Sequence, residues 1–224
     1  MSVPFMCTRE QFPTVRTSIE RPQAHLVAQA SGTPSSTLHE ALGRIGALPS
    51  AIKPIAPAMR LCGPAIVVHS PGGDNLWLHR ALYVAMPGDV LVVHVSGKPD
   101  FGYWGEIMAT AAIERGLAGL VIDGCVRDAD QLEALGFPVF STGLSIRGTG
   151  KDQGARGWIN HPVRLGDVVV NPGDLIVGDR DGVVAVPRER VQEAVTRSAA
   201  REAKEATVMQ RLRSGERTLE LYNF

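Results

Sequence analysis

Short apolar segments alternate with segments of helical periodicity between residues 65 and 140, and this alternation restricts the chain to folds with a parallel sheet. The helical segments are predicted at residues 74–85, 106–115 and 128–135. Each strand–helix–strand unit returns the chain to the sheet in the same direction, so we predict an α/β fold. The apolar segments predicted as strands are 65–69, 89–95, 119–123 and 137–140.

The pattern changes after Pro162 to short β segments separated by Asn-Pro-Gly-Asp and Asp-Arg-Asp-Gly turns, which are typical of antiparallel hairpins. Residues 187–214 are rich in charge and carry apolar residues at helical spacing, which predicts an amphipathic C-terminal helix. A chain of 224 residues with 44% hydrophobic residues can fill one sizeable core. We therefore predict a single domain over residues 1–224, with its core at about 35–205.

Two helix starts are predicted from capping residues. Residues 37–40 read Thr-Leu-His-Glu, a capping-box pattern in which Thr37 and Glu40 satisfy each other's free backbone amides. This pattern predicts a short helix that begins at Thr37 and ends near Gly46. Asp74 is predicted to cap the next helix, directly after a Gly-Gly turn.

The composition excludes several classes of partner. Lys and Arg together number 23, and so do Asp and Glu, so no basic excess favours nucleic acid or an anionic membrane surface. The three cysteines are too few for a disulfide framework. The first residues lack the apolar core of a secretion signal, and no apolar run is long enough to span a bilayer. These features predict a cytoplasmic protein with no nucleic-acid or membrane partner.

The strongest chemical pattern joins Glu106 to the pair Arg127-Asp128, with twenty residues between them. This spacing places two strand-to-helix junctions at one edge of a sheet, where α/β folds bind ligands. The free amides of residues 105–108 suit a carboxylate, and Arg127 offers a fork of donors. Asp128 offers hard oxygen to Mg²⁺. The structural alternative is that Asp128 only caps a helix and forms a surface ion pair with Arg127.

This pattern resembles that of the class II 4-hydroxy-4-methyl-2-oxoglutarate/4-carboxy-4-hydroxy-2-oxoadipate aldolases, in the superfamily of the regulator of ribonuclease activity A. The family pattern is an acidic residue, twenty residues and then Arg-Asp, although many members have Asp where this chain has Glu106. The similarity covers most of residues 35–205. Further matching segments lie at residues 36–41, 73–76, 86–90, 148–151 and 179–184.

The resemblance implies a mixed α/β/β/α sandwich that forms a homotrimer or homohexamer. It implies substrate-binding amides at Gly105, Glu106, Ile107 and Met108. It also implies a substrate arginine at Arg127, and a site that binds Mg²⁺ or Mn²⁺ directly through Asp128 and through water at Glu106. A glutamate from a neighbouring subunit completes such sites in the family, and both Glu202 and Glu205 match it.

The implied activity is retro-aldol cleavage of a 4-hydroxy-2-oxo acid to pyruvate and a second keto acid, with oxaloacetate decarboxylation as a side activity. The alternatives are an oxaloacetate decarboxylase and a non-enzymatic regulator like the ribonuclease inhibitors of the superfamily. Those regulators have Gly at the position of Glu106 and an acidic residue at that of Gln131. A methyltransferase is disfavoured because no Gly-rich nucleotide loop follows the first strand.

Three further residues with functional side chains lie outside this pattern. Lys151 is a candidate for contact with the distal carboxylate of the substrate. His69 and His94 lie on apolar segments, where histidines are more often core or strand-end residues than ligands. The group on C4 of the substrate is not determined by the sequence.

Overall fold

The computed structural model describes residues 14–224. Within this range, the helices are α1 (Ala24–Ala30), α2 (Ser35–Ala41), α3 (Leu76–Ala81), α4 (Glu106–Glu114), α5 (Ala129–Leu135), α6 (Val191–Arg213) and α7 (Thr218–Tyr222), with a 3-10 helix at Arg188–Arg190. The strands are β1 (Lys53–Pro54), β2 (Leu61–Ser70), β3 (Val90–Val95), β4 (Gly119–Ile122), β5 (Cys125–Val126), β6 (Val139–Ser141), β7 (Gly143–Leu144), β8 (Trp158–Ile159), β9 (Val163–Leu165), β10 (Val168–Val170), β11 (Leu175–Gly178) and β12 (Val183–Val186).

The predicted β–α alternation is present as a parallel half-sheet. Strands β2, β3, β4 and β6 lie side by side in the same direction, and β1 pairs antiparallel with β6 at the edge. Helices α3, α4 and α5 connect these strands in turn. Both faces of a parallel half-sheet are covered, which explains why its strands read as continuous apolar runs.

Strand β2 also belongs to a second, antiparallel half-sheet. Its last residues pair with β3, whereas its first residues pair with β11, in the register Leu61 to Gly178 and Pro64 to Leu175. The predicted hairpin of β11 and β12 extends this half, and β9 and β10 form a separate hairpin. Because one strand serves both halves, the sheet curls between them.

Three buried clusters show how the layers stack. One lies between the parallel half-sheet and helices α3 to α5, and includes Leu78, Trp104 and Leu132. A second lies between the two β layers, where Val67 meets residues of β9 to β12. The third lies between β11, β12 and helices α1, α2 and α6. The mixed α/β/β/α sandwich with a C-terminal helix is therefore confirmed.

The capping box at Thr37 was wrong. Helix α2 already begins at Ser35, and Thr37 is a buried residue within it. The start is held instead by Asp179, whose carboxylate accepts hydrogen bonds from the amide and the hydroxyl of Ser35, both at 2.8 Å. This partner lies 144 residues away in sequence, so no local pattern reveals it. The helix ends at Ala41, earlier than the predicted end near Gly46.

The amphipathic C-terminal helix is confirmed as α6, which buries Val191, Ala194 and Ser198 and leaves most of its other residues at least partly exposed. No helix in residues 14–224 is long and apolar enough to cross a membrane. Cys62 and Cys125 are free thiols. Cys7 and the N-terminal residues that were compared with a secretion signal lie outside the described residues.

Candidate active site

The start of helix α4 forms one wall of the candidate site. Gly105 precedes the helix in an extended conformation that any residue adopts. However, a Cβ atom at this position would lie 2.3 Å from Oδ2 of Asp128 and 3.1 Å from Cγ of Arg127. The absence of a side chain at Gly105 is therefore what allows the Arg127-Asp128 pair to approach α4.

Asp128 occupies the position before helix α5 but does not cap it with its side chain. Its Oδ2 accepts a hydrogen bond from the backbone amide of Glu106 at 3.1 Å and lies 3.7 Å from Nε of Arg127. The backbone of Asp128 is left-handed, with φ 60° and ψ 43°. This conformation is tolerated by Asp and Asn better than by most residues. The simple helix-cap interpretation of Asp128 is thus not what the structure shows.

The pair lines a cavity of about 330 Å³ together with residues from three other segments. Five of the six predicted site residues line it: Gly105, Ile107, Met108, Arg127 and Asp128. The sixth, Glu106, contributes its amide to Asp128, and its side chain is exposed outside the lining. The remaining lining residues are Asn75, His79, Gly102, Tyr103, Trp104, Gly148, Thr149 and Lys151.

The loop that carries Lys151 is fastened to the segment before α3. The amide of Gly150 donates to the carbonyl of Gly73 at 2.7 Å, and the amide of Asn75 donates to the carbonyl of Gly150 at 3.2 Å. The carboxylate of Asp74 accepts hydrogen bonds from the amides of Leu76 at 2.8 Å and Asp152 at 2.5 Å. These bonds place Lys151 on the cavity wall.

Two polar residues that line the same cavity as Arg127 show what the cavity favours. Oδ1 of Asn75 is buried and has no hydrogen-bond partner, whereas Nδ2 donates to the carbonyl of Tyr103 at 3.0 Å. Burial, and then the nearby charge of Lys151, lower the pKa of His79, although Asp74 opposes this. The wall therefore combines a cationic lysine, a neutral histidine and a free amide oxygen.

Comparison with known proteins shows the family of the chain. Residues 35–185 match the model of the RraA-like family, described as aldolase/RraA. The chain belongs to the RraA-like family. It is 37% identical over 186 residues to a protein of Halalkalibacterium halodurans provisionally named 4-hydroxy-4-methyl-2-oxoglutarate aldolase, covering 81% of this chain and 88% of that one.

Solved RraA-like structures resemble the fold. An uncharacterized protein from Pseudomonas syringae superposes with a TM-score of 0.76 at 29% identity, covering 92% of this chain and all of that one (100%). RraAS2 of Streptomyces coelicolor, described as an unusual member of the RNase ES inhibitor RraA family, gives a TM-score of 0.74 at 30% identity, covering 86% and 99% of the two chains.

This RraA-like chain offers one cavity carboxylate and two glutamates of α6 as candidate metal ligands. Asp128 is the carboxylate on the cavity wall that offers oxygen to a cation, and no group of three or more metal-binding side chains occurs within residues 14–224. Glu202 and Glu205 lie on α6, where Glu205 pairs with Arg201 at 2.8 Å. Asn75 and His79 also line the cavity, and no sequence pattern identified either of them as a site residue.

Proposed function

We propose that this chain is a divalent-metal-dependent lyase that cleaves a 4-hydroxy-2-oxo acid to pyruvate and a second keto acid. The observation that carries the proposal is the single cavity in which Arg127, Asp128 and the first turn of α4 meet. A donor fork, a carboxylate and the positive end of a helix are the groups that bind a 2-oxo acid and a cation.

The residues present fit a Mg²⁺ or Mn²⁺ ion. Asp128 lines the cavity, and one of its oxygens, Oδ2, is fixed by the hydrogen bond from the Glu106 amide. Mg²⁺ needs only one or two protein carboxylates when water and substrate fill its other positions. When bound, the metal would act as a Lewis acid toward the 2-oxo group. Glu202 or Glu205 of a neighbouring copy is our candidate for a further carboxylate in a homotrimer or homohexamer.

Arg127 would bind the 2-oxo acid end of the substrate. Arg127 lines the same cavity as Ile107 and Met108, whose backbone amides lie in the first turn of α4, so both kinds of donor are available to this end. During cleavage the 4-hydroxyl loses its proton, the C3–C4 bond breaks and a carbonyl forms on C4. The electron pair of that bond becomes the pyruvate enolate, whose oxygen Arg127 would stabilise. We assign the proton uptake to a water molecule positioned by the exposed side chain of Glu106.

Lys151 and His79 suit the other end of the substrate. Because Lys151 is cationic and faces the same cavity as Arg127, the two ends together favour a dicarboxylic or tricarboxylic substrate. Asn75 offers an acceptor to the 4-hydroxyl. The same enolate forms when oxaloacetate loses CO₂, so decarboxylation is a proposed side activity and remains the closest enzymatic alternative.

The main non-enzymatic alternative is a regulator of the RraA type, which the likeness to RraAS2 favours. The acidic residue of such regulators is replaced here by Gln131, an exposed residue of α5. The presence of Glu106 and the cavity beside it favour the enzyme.

Pyruvate release, followed with a coupled lactate dehydrogenase assay, tests the proposal. We expect turnover of 4-hydroxy-4-methyl-2-oxoglutarate with Mg²⁺ or Mn²⁺ and its loss with a chelator. Arg127→Ala should reduce kcat/KM by about 100-fold or more, whereas Arg164→Ala, an exposed change on β9, should not. No turnover of any 4-hydroxy-2-oxo acid would exclude an aldolase, and turnover of oxaloacetate alone would favour the decarboxylase.

A further inference from the structure

Two histidines occupy paired positions at the carboxyl end of the parallel half-sheet, outside the cavity. His69 on β2 is directly opposite His94 on β3, and their ring centroids are 5.5 Å apart. Both side chains therefore project to the same face of the sheet, the face that also carries Val67 and Val92. Both are partly buried.

His94 is bound to a carboxylate that follows strand β4. Nδ1 of His94 lies 2.5 Å from Oδ2 of Asp123, and the other oxygen of Asp123 accepts a hydrogen bond from the amide of Val95 at 2.7 Å. The hydrogen bond with Asp123 raises the pKa of His94, and it outweighs burial, which acts in the opposite direction. The pair thus favours a protonated His94.

The surroundings of His69 favour its neutral form. Its ring stacks on Trp158 at a centroid distance of 3.6 Å, and its Nε2 lies 2.6 Å from the hydroxyl of Ser96. Burial, and then the neighbouring charge of His94, lower the pKa of His69. The titratable groups that face His94 are therefore a neutral His69 on β2 and the anionic Asp123 after β4. Burial raises the pKa of Tyr103, in the loop after β3, and the charge of Asp123 acts in the same direction.

The segment from Asp123 to Arg127 is held tightly along its length. The amide of Cys125 donates to the carbonyl of Pro99 at 2.8 Å, and the amide of Arg127 donates to that of Trp104 at 2.9 Å. A Cβ atom on Gly124 would lie 3.0 Å from both the Tyr103 ring and the Val95 side chain. The residues between Asp123 and Arg127 therefore have little room to absorb a shift of Asp123.

We propose that His94 and Asp123 are positioning residues whose ion pair holds Arg127 in place in the cavity, and that the placement of Arg127 changes when His94 loses its proton. Because Asp123 raises the pKa of His94, the ion pair depends on pH in one direction. The ion pair is complete below the folded pKa of His94 and is lost as the pH rises through it. The effect of this placement on turnover rests on the proposed aldolase function, whereas the placement itself does not.

The test is an NMR titration of the ¹⁵N-labelled protein, which follows the His94 ring and Nε of Arg127 between about pH 5 and 9. We expect the Arg127 resonance to shift with the same midpoint as His94. Asp123→Asn should lower the His94 midpoint by about one pH unit or more, and the Arg127 transition should be lost, because this variant has no ion pair to break. In His94→Gln, the Arg127 transition should disappear.

His69→Gln is the matched control, because it changes the paired histidine on the same face and leaves the ion pair intact. Arg127 should still follow His94 in this variant. The proposal would be overturned by an Arg127 resonance that does not respond to His94 in the wild-type protein. It would also be overturned by one that still shifts at the wild-type pH in His94→Gln or Asp123→Asn. Circular dichroism identifies a variant that fails to fold. If one of Asp123→Asn and His94→Gln fails to fold, the other decides alone.

A pH–rate profile separates this inference from the proposed function. In the wild-type protein, kcat should fall as the pH rises through the His94 midpoint, with a much smaller change in KM. His94→Gln should remove that limb and lower kcat at neutral pH by about tenfold. Absence of turnover in every variant would refute the aldolase but not the coupling seen by NMR.

Discussion

Oδ2 of Asp128 lies 3.1 Å from the backbone nitrogen of Glu106, so the first turn of one helix holds the carboxylate that precedes the next helix. The two residues lie 22 positions apart and are brought together by helix α4 and strands β4 and β5, which lie between them in sequence. Because the contact uses a backbone amide of Glu106, it does not depend on the side chain at that position. The Asp-to-Glu difference from many family members therefore leaves Asp128 in place.

Gly105→Ala should damage the site without unfolding the protein. The added methyl group would lie 2.3 Å from Oδ2 of Asp128, which must then move away from the Glu106 amide. A misplacement of about 1 Å can reduce turnover by about 100-fold, and we expect a loss of kcat/KM of that order. Gly32→Ala is the control, since nothing lies within 4 Å of its Cβ position. Equal activity of the two variants would contradict this geometry.

Lys151→Gln should discriminate between substrates by their charge. Lys151 lines the same cavity as Arg127, so its loss should raise KM for a substrate with a distal carboxylate by about tenfold, corresponding to about 1.4 kcal/mol. A 4-hydroxy-2-oxo acid with an uncharged end should be affected little. Steady-state kinetics with both substrates make the comparison. The assignment would fail if the two KM values rose equally.

Arg21→Ala should destabilise the protein far more than an exposed ion pair would suggest. Asp89 is almost fully buried at 1% exposure and accepts two hydrogen bonds from Arg21, both at 2.8 Å. Removal of Arg21 leaves a buried charge without its partner, which costs about 3–5 kcal/mol. Urea unfolding measures the change.

Arg188→Ala is the matched control for this prediction. Its guanidinium pairs with Glu20 at 2.9 Å, but the Glu20 side chain is 80% exposed. Such a pair contributes about 0–1 kcal/mol. If the two variants lost similar stability, the buried position of Asp89 would not be the cause.

Asp179 should contribute to the acid sensitivity of the fold. Burial raises the pKa of Asp179, but hydrogen bonds from Ser35, Asp181 and Gly182 outweigh it and leave the pKa below its ordinary value. Its stabilising effect is complete above the pKa of the unfolded chain and is lost as the pH falls through the folded value. In urea unfolding at decreasing pH, Asp179→Asn should be less stable near neutral pH and show a shallower acid dependence. A parallel curve would contradict this role.

The parallel half-sheet was predictable because each of its strands is buried on both faces and therefore reads as an apolar run. The first part of β2 was missed, since Cys62, Gly63 and Pro64 interrupt that signal. Its partner β11 lies more than a hundred residues later, at Leu175–Gly178. Register of this kind is fixed by tertiary packing, which a local pattern does not contain. Strand β8 is too short to give a pattern at all.

The residues of the candidate site also differ in how far the sequence predicts their position. Arg127 and Asp128 follow directly from the spacing of consecutive strand-to-helix junctions, which lie at one sheet edge whatever the loops do. Asn75 and Lys151 meet the same cavity only because the Gly73–Gly150 hydrogen bonds join two loops. Loop conformations of this sort depend on individual hydrogen bonds, so the sequence could nominate Lys151 but not locate it.

The left-handed backbone of Asp128 limits how this position can vary. It asks for a residue that accepts φ 60° and also carries a carboxylate. Glycine and asparagine accept this backbone conformation but lack the carboxylate. Glutamate has the carboxylate but is strained in this conformation. Saturation mutagenesis of Asp128 should therefore yield no fully active replacement. In contrast, many substitutions of Glu106 should leave Asp128 in place, because residue 106 contributes only its backbone amide to this contact.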